Sequence, residues 1–127
     1  MSNTERPKIG TLAWHDLTVP DAEKTRDFYK SVVGWDSEDV SMGEYSDFSM
    51  IASESGETVA GICHARGTNA KLPAQWMIYI LVQDVDQGAK KCVELGGEVV
   101  DGPRSLGQGR FCVIRDPAGA VCALYQA

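Results

Sequence analysis

A chain of 127 residues, 43% hydrophobic and 24% charged, is the size of one domain that can bury about two-thirds of its unfolded surface in a single core. No apolar run approaches the ~18 residues of a membrane span, which argues against a membrane partner. Eighteen acidic against twelve basic side chains give a net charge of −6, and the Lys and Arg residues form no dense stripe, which argues against nucleic acid as a partner.

The opening "MSNTERPK" is polar and has no signal-peptide pattern, so the expected location is the cytoplasm. "TLAWHDLTV" then reads as a strand. "DAEKTRDFYKSVV" reads as a helix with Ala22, Thr25, Tyr29 and Val32 on one face, stopped by Gly34. Three strand-like pieces follow, "SEDVSM", "DFSMIA" and "VAGICHA", and then "ARGTNAKLPA", the most linker-like segment. "QWMIYILV" is a second opening strand. "DVDQGAKKCVEL" is a second helix, with Val85, Ala89, Cys92 and Leu95 on one face before Gly96 and Gly97. The chain closes with "GEVVD", "RFCVIR" and "AVCALYQ" as strands. Cys63, Cys92, Cys112 and Cys122 show neither C-x-x-C nor Cys/His zinc spacing, and most read as buried thiols in a reducing compartment.

Each half is therefore βαβββ, about 9–65 and about 75–126. Pairing Asp21 with Asp84, Gly34 with Gly96 and Val59 with Val121 gives offsets of 62 to 63 residues, as a duplicated unit would. The expected fold class is α+β, with both modules in one domain spanning residues 1–127. Their sheets would join into a cupped mixed β-sheet, with the helices on the outer face and the concave face free to hold a ligand.

Strand alternation sends His15, Leu17 and Val19 toward the first helix and Trp14, Asp16 and Thr18 into the cup; in the second half Met77, Tyr79 and Leu81 take the cup row. A four-residue turn at Asp116–Gly119 would set Cys112 opposite Ala123, and the matching turn in the first half would set Met50 opposite Gly61. Asp16 and Tyr79 then become the candidate chemical pair, a carboxylate and a phenol expected to face one another. The expected ligand-binding set around them is Trp14, Phe48, Met50, Met77, Arg110, Cys112 and Tyr125. His15 reads as a packing residue and His64 as a solvated or capping one. The glycines of "SLGQGR" do not make a P-loop, because no Lys-Ser/Thr and helix follow.

The order and spacing of "WHDLTVPDAEKTRDFYKSVVGW", "YILVQDVDQGAKKCVELGGEV" and "GRFCVIRDPAGAVCALYQ" resemble the vicinal oxygen chelate superfamily, also called the glyoxalase, bleomycin-resistance and dioxygenase superfamily, in its glyoxalase-like subgroup. In metal-dependent members, four cup positions hold a divalent ion through His and Glu or Gln. Carried over, these positions fall on Trp14, Gly61, Met77 and Ala123, which implies no metal and no cofactor for this chain. What the resemblance leaves is a cup that binds a small organic molecule, for sequestration or sensing. Two alternatives stand beside it: a metal-independent lyase- or isomerase-type enzyme using Asp16 and Tyr79 as acid and base, and a protein-interaction module with a filled cup. A homodimer is expected from the resemblance and from edge strands that need covering.

Overall fold

The computed structural model describes residues 8–127. Its strands are β1 (Leu12–Val19), β2 (Asp36–Ser41), β3 (Ser46–Ile51), β4 (Thr58–His64), β5 (Trp76–Leu81), β6 (Glu98–Leu106), β7 (Gly109–Arg115) and β8 (Val121–Gln126); its helices are α1 (Ala22–Val33) and α2 (Val85–Glu94). The α+β class stands as expected, with one helix per βαβββ repeat and mixed pairing. β1–β4 and β5–β8 run parallel, while the hairpin pairs β2–β3, β3–β4, β6–β7 and β7–β8 run antiparallel. The chain forms two compact units, His15–Trp76 and residues 8–14 with Met77–Ala127.

In the His15–Trp76 unit the strand order is β2-β3-β4-β1. Helix α1 starts where the Asp21 carboxylate accepts the Lys24 backbone N–H at 3.0 Å. It stops at Gly34, whose φ of 84° is left-handed and whose N–H returns to the Lys30 carbonyl. The core beneath α1 consists of Leu17, Val19, Ala22, Phe48, Met50, Ala60 and Ile62, with Tyr29, Trp35 and Trp76 packed against it. The register explains this membership. Ile62 is paired with Leu17 on one side and Phe48 on the other, and Met50 with Ala60, and cross-strand partners share a face.

Phe48 and Met50 therefore lie against the helix side and not on the opposite face where the sequence reading placed them. The hairpin is one residue out from the expected pairing: Met50 opposes Ala60, and Gly61 opposes Ser49. A slip of one residue moves a whole row to the other face. The helical face also differs from expectation, because Val32 is 63% exposed and Ala22 is the only buried residue of α1.

In the second unit β5, β8, β7 and β6 follow one another, with Gly10 and Thr11 bonded to Leu81 at the other side of β5. Helix α2 is capped by Asp84, which accepts the Gln87 N–H, and by the Gln126 side chain, which accepts the Val85 N–H at 2.8 Å. Val85, Ala89, Cys112 and Leu124 are buried under it, with Ile80, Val82, Val99 and Ile114 beside them. Leu95 lies outside this core at 74% exposure.

The same one-residue correction applies here, since Ala123 pairs with Val113 and Leu124 with Cys112. The turn is longer than expected: the Asp116 N–H reaches the Ala120 carbonyl, while the Asp116 side chain accepts from Ala118 and Ala120. Cys112 and Arg110 are thus on the α2 side, contrary to their expected place in the ligand-binding row. Arg110 is held there by a two-pronged ion pair to Asp86 of α2 at 2.9 and 3.1 Å. β6 runs through Gly102 and Pro103 to Leu106, beyond the expected "GEVVD", because two register shifts against β7 absorb the residues that read as a break.

Burial first, and then the surrounding thiols and carboxylates, push the Cys112 thiol from 9.0 up to about 11. A raised folded-state pKa means that this thiol's contribution to stability is complete below pH 9 and is lost as pH rises through about 11. Urea denaturation from pH 8 to 11 should therefore show alkaline destabilisation that is smaller in Cys112→Ala, whose pH 8 stability should itself fall by roughly 1–2 kcal/mol. Identical pH slopes for the two proteins would contradict the burial of this thiol.

Candidate functional site

On the helix-free face of the His15–Trp76 unit the sheet presents a polar row. β1 contributes Asp16 and Thr18, β4 contributes Gly61 and Cys63, and β3 contributes Asp47 and Ser49. Asp16 pairs with Gly61, Thr18 with Cys63, and Ser49 with Gly61. Gly61 is buried, and a Cβ built on it would collide with Oδ1 of Asp16, so the carboxylate lies directly over the glycine. The missing side chain makes the room that the carboxylate fills.

Asp47, 6% exposed, accepts the His64 backbone N–H at 2.8 Å, and its Oδ1 lies 3.2 Å from His64 Nδ1. His64 is set edge-on to Tyr45, at 5.2 Å between ring centroids. A carboxylate this deep needs such partners, since an unpaired buried charge costs several kcal/mol. Burial, then the charges of Asp16 and Asp47, then a hydrogen bond to Asp47 push the Cys63 thiol well above its ordinary value. Cys63 is therefore a neutral donor and not a thiolate nucleophile. Asp47 and Cys63 escaped the sequence reading. The signal that could have found them is the alternation of Asp47 with Phe48 and Met50, once the hairpin register is right.

The helix-free face of the other unit has the opposite character. Met77, Tyr79, Leu81, Phe111, Val113 and Ala123 are all buried. The Tyr79 ring is stacked on Phe111 at 6.4 Å, and the Arg104 guanidinium lies 4.5 Å above Phe111 while pairing with Asp101 at 2.9 Å. Tyr79 pairs with Ala123, and Tyr125 with Phe111. Trp14 is half-buried in β1. Of the expected site residues, the structure groups Asp16 with Gly61, Thr18 and Cys63, and Tyr79 with Phe111 and Ala123; it sends Phe48 and Met50 under α1 and Arg110 and Cys112 to α2. His15 belongs to the helix-side row, yet it is exposed near the start of β1, with Nδ1 at 3.4 Å from the Val59 carbonyl, so it is not the buried packing residue expected.

At the four family metal positions stand an indole, a hydrogen, a thioether and a methyl group, from Trp14, Gly61, Met77 and Ala123. This set does not fit a divalent ion that wants imidazole nitrogen or carboxylate oxygen. Among the described residues, no group of three or more His, Cys, Asp or Glu is placed to hold a metal ion. No helix among them is long and apolar enough to cross a membrane.

Residues 8–124 match the family model "Glyoxalase/Bleomycin resistance protein/Dioxygenase superfamily". Similar curated proteins include the anthracycline biosynthesis protein DnrV of Streptomyces peucetius, 34% identical over 92% of this chain and 47% of that protein. Another is the putative glyoxylase CFP32 of Mycobacterium tuberculosis, 36% identical over 93% of this chain and 46% of that protein. The chain spans about half the length of these relatives. Among solved structures, a Streptomyces coelicolor methylmalonyl-CoA epimerase in complex with 2-nitronate-propionyl-CoA matches with a TM-score of 0.58 at 17% identity, covering 94% of this chain and 99% of that one. At that identity the likeness speaks to the fold.

Gly61→Ala should force the Asp16 carboxylate aside and cost roughly 1–2 kcal/mol, whereas the same change in an Asp16→Ala background should cost much less, a coupling of about 1 kcal/mol by double-mutant cycle in urea. Additive effects would remove the carboxylate from its place over Gly61. His15→Ala should change stability by no more than about 0.5 kcal/mol.

Proposed function

The chain belongs to the glyoxalase/bleomycin resistance protein/dioxygenase superfamily, and from that premise we propose that it binds a small organic molecule without a metal ion, through the acidic helix-free face of its His15–Trp76 unit. The observation that carries this reading is the Asp16 carboxylate laid over Gly61, with Asp47 and the neutral Cys63 thiol nearby. The Asp16 carboxylate supplies hydrogen-bond acceptors on this row, and Asp47, buried with its own partners, adds negative charge behind it. The matching ligand group is a hydroxyl, an ammonium or another donor on an otherwise apolar or aromatic body. Metal independence rests on the donor chemistry at the family positions, where neither Gly61 nor Ala123 has a coordinating atom to offer.

The relatives' names guide the choice of ligands. Anthracycline-type polyketides come from the DnrV likeness, 2-oxo acids and aldehydes from the glyoxylase likeness, and acyl-CoA esters from the epimerase complex. One domain of two modules over residues 1–127 is part of the same proposal, supported by a family match over residues 8–124 that spans both repeats. Assembly as a homodimer and residence in the cytoplasm remain part of this proposal; the four free cysteines agree with a reducing compartment.

A thermal-shift panel of these three classes, run in EDTA, should give at least one saturable stabilisation, about 2.7 kcal/mol at a ligand concentration of one hundred times Kd. Asp16→Asn should weaken that binding at least tenfold. Stabilisation that requires an added divalent ion would overturn the metal-independent reading, and binding indifferent to Asp16→Asn would move the site elsewhere. Turnover of any panel compound that Asp16→Asn abolishes without loss of affinity would favour the acid–base enzyme instead.

A further inference from the structure

On the helix side of the His15–Trp76 unit, α1 and the segment entering β5 leave an open groove of about 420 Å³. Its floor is Leu17 and Val19, and its walls are Phe28, Tyr29 and Trp76, with Lys24 among the lining residues. This volume falls within the range of small-molecule sites. Phe28 is 57% exposed, an unusual state for a large aromatic residue on a helix, and it stands edge-on to Tyr29 at 5.1 Å. Tyr29, Trp35 and Trp76 then pack on one another at 5.4 to 5.9 Å. Tyr29 and Trp76 are thus packed into a ring cluster beside the groove, so a flat ligand entering there would meet rings already set against one another.

Two polar features set the chemistry of the occupant. The Trp76 indole N–H donates to the Tyr29 hydroxyl oxygen at 3.0 Å, which leaves the phenol its own proton to donate and polarises it toward a further acceptor. Lys24 pairs with no carboxylate among the described residues, so its ammonium is a point charge at the groove. An aromatic wall alone would suit a cation as well as a neutral ring. The ammonium decides the sign.

We propose that this groove binds a planar aromatic anion, a carboxylate or sulfonate carried on one or two fused rings, with the rings against Phe28 and Trp76 and the anionic group between Lys24 and the Tyr29 hydroxyl. The site is separate from the acidic face around Asp16, lies on the other side of the sheet and prefers the opposite charge.

The full chain should bind 1-anilinonaphthalene-8-sulfonate with one-to-one stoichiometry and quench tryptophan emission, because Trp35 and Trp76 belong to the ring cluster. The cationic planar dye thioflavin T should bind at least tenfold more weakly. Lys24→Ala and Phe28→Ala, both surface changes whose folding circular dichroism verifies, should each weaken the sulfonate about tenfold. Lys91→Ala on α2 should leave its Kd unchanged. Sulfonate affinity unaffected by both groove variants, or thioflavin T binding as tightly, would overturn the assignment. So would sedimentation showing a dimer that Phe28→Ala dissociates and that excludes the dye, since a second copy would then occupy the groove.

Discussion

Ile62, fully buried, is paired with Leu17 of β1 and Phe48 of β3, and that pairing sets which face Asp16 to Val19, Asp47 to Met50 and Ala60 to Cys63 present. Leu17, Phe48 and Ile62 are large and apolar, and one continuous core under α1 takes all three only in this register. Moving β3 by one residue would put Asp47 and Ser49 into that core and turn Phe48 and Met50 outward. Burying a carboxylate there without partners would cost several kcal/mol, and exposing two large apolar side chains would forfeit roughly 1.5–3 kcal/mol each. The register is therefore held by energetics on both faces of the sheet, and the acidic row that includes Asp16 exists because the apolar row is satisfied first.

What the apolar core imposes, the polar row then has to accommodate. Asp47 is almost completely out of solvent, and it is tolerated there because a backbone N–H, an imidazole nitrogen and a thiol all turn toward it. Asp16 is less buried and sits where Gly61 leaves a gap. The two carboxylates thus differ in kind. Asp47 is held in a network with His64 and Cys63, whereas the Asp16 carboxylate lies half-buried over the Gly61 backbone. Asp47 therefore fixes the surroundings of the row in which Asp16 lies.

The repeat, the helices with their Asp caps and the β1 and β5 rows were legible in the sequence because each is carried by local pattern: Asp21 and Asp84 before apolar-periodic segments, Gly34 after one, alternation in "MIYIL". The faces of β3, β4, β7 and β8 relative to one another were harder, because they depend on turn length. "DPAG" reads naturally as a four-residue turn, yet the Asp116 carboxylate gathers the N–H groups of Ala118 and Ala120 and draws a fifth residue in. That single residue moved Arg110 and Cys112 to the wrong face, and the equivalent error moved Phe48 and Met50. Asp16 and Tyr79 were unaffected, since their rows were read from strands whose own alternation decides the matter.

The two modules start from one topology and end with different surfaces, and the small residues at Gly61 and Ala123 show how. Each is the β4 or β8 partner of the candidate side chain, Asp16 in one unit and Tyr79 in the other. At Gly61 nothing projects, so a neighbouring carboxylate folds down over the backbone and keeps negative charge close to the sheet. Opposite Tyr79 stands the buried Ala123, and Tyr79 stacks on Phe111, where Arg104 and Asp101 neutralise one another above the ring. Asp16 against Tyr79 is what separates a face that can offer acceptors from a face that offers aromatic surface, with Gly61 making room for the carboxylate in the first, and at neither Gly61 nor Ala123 does the position retain an atom able to coordinate a metal.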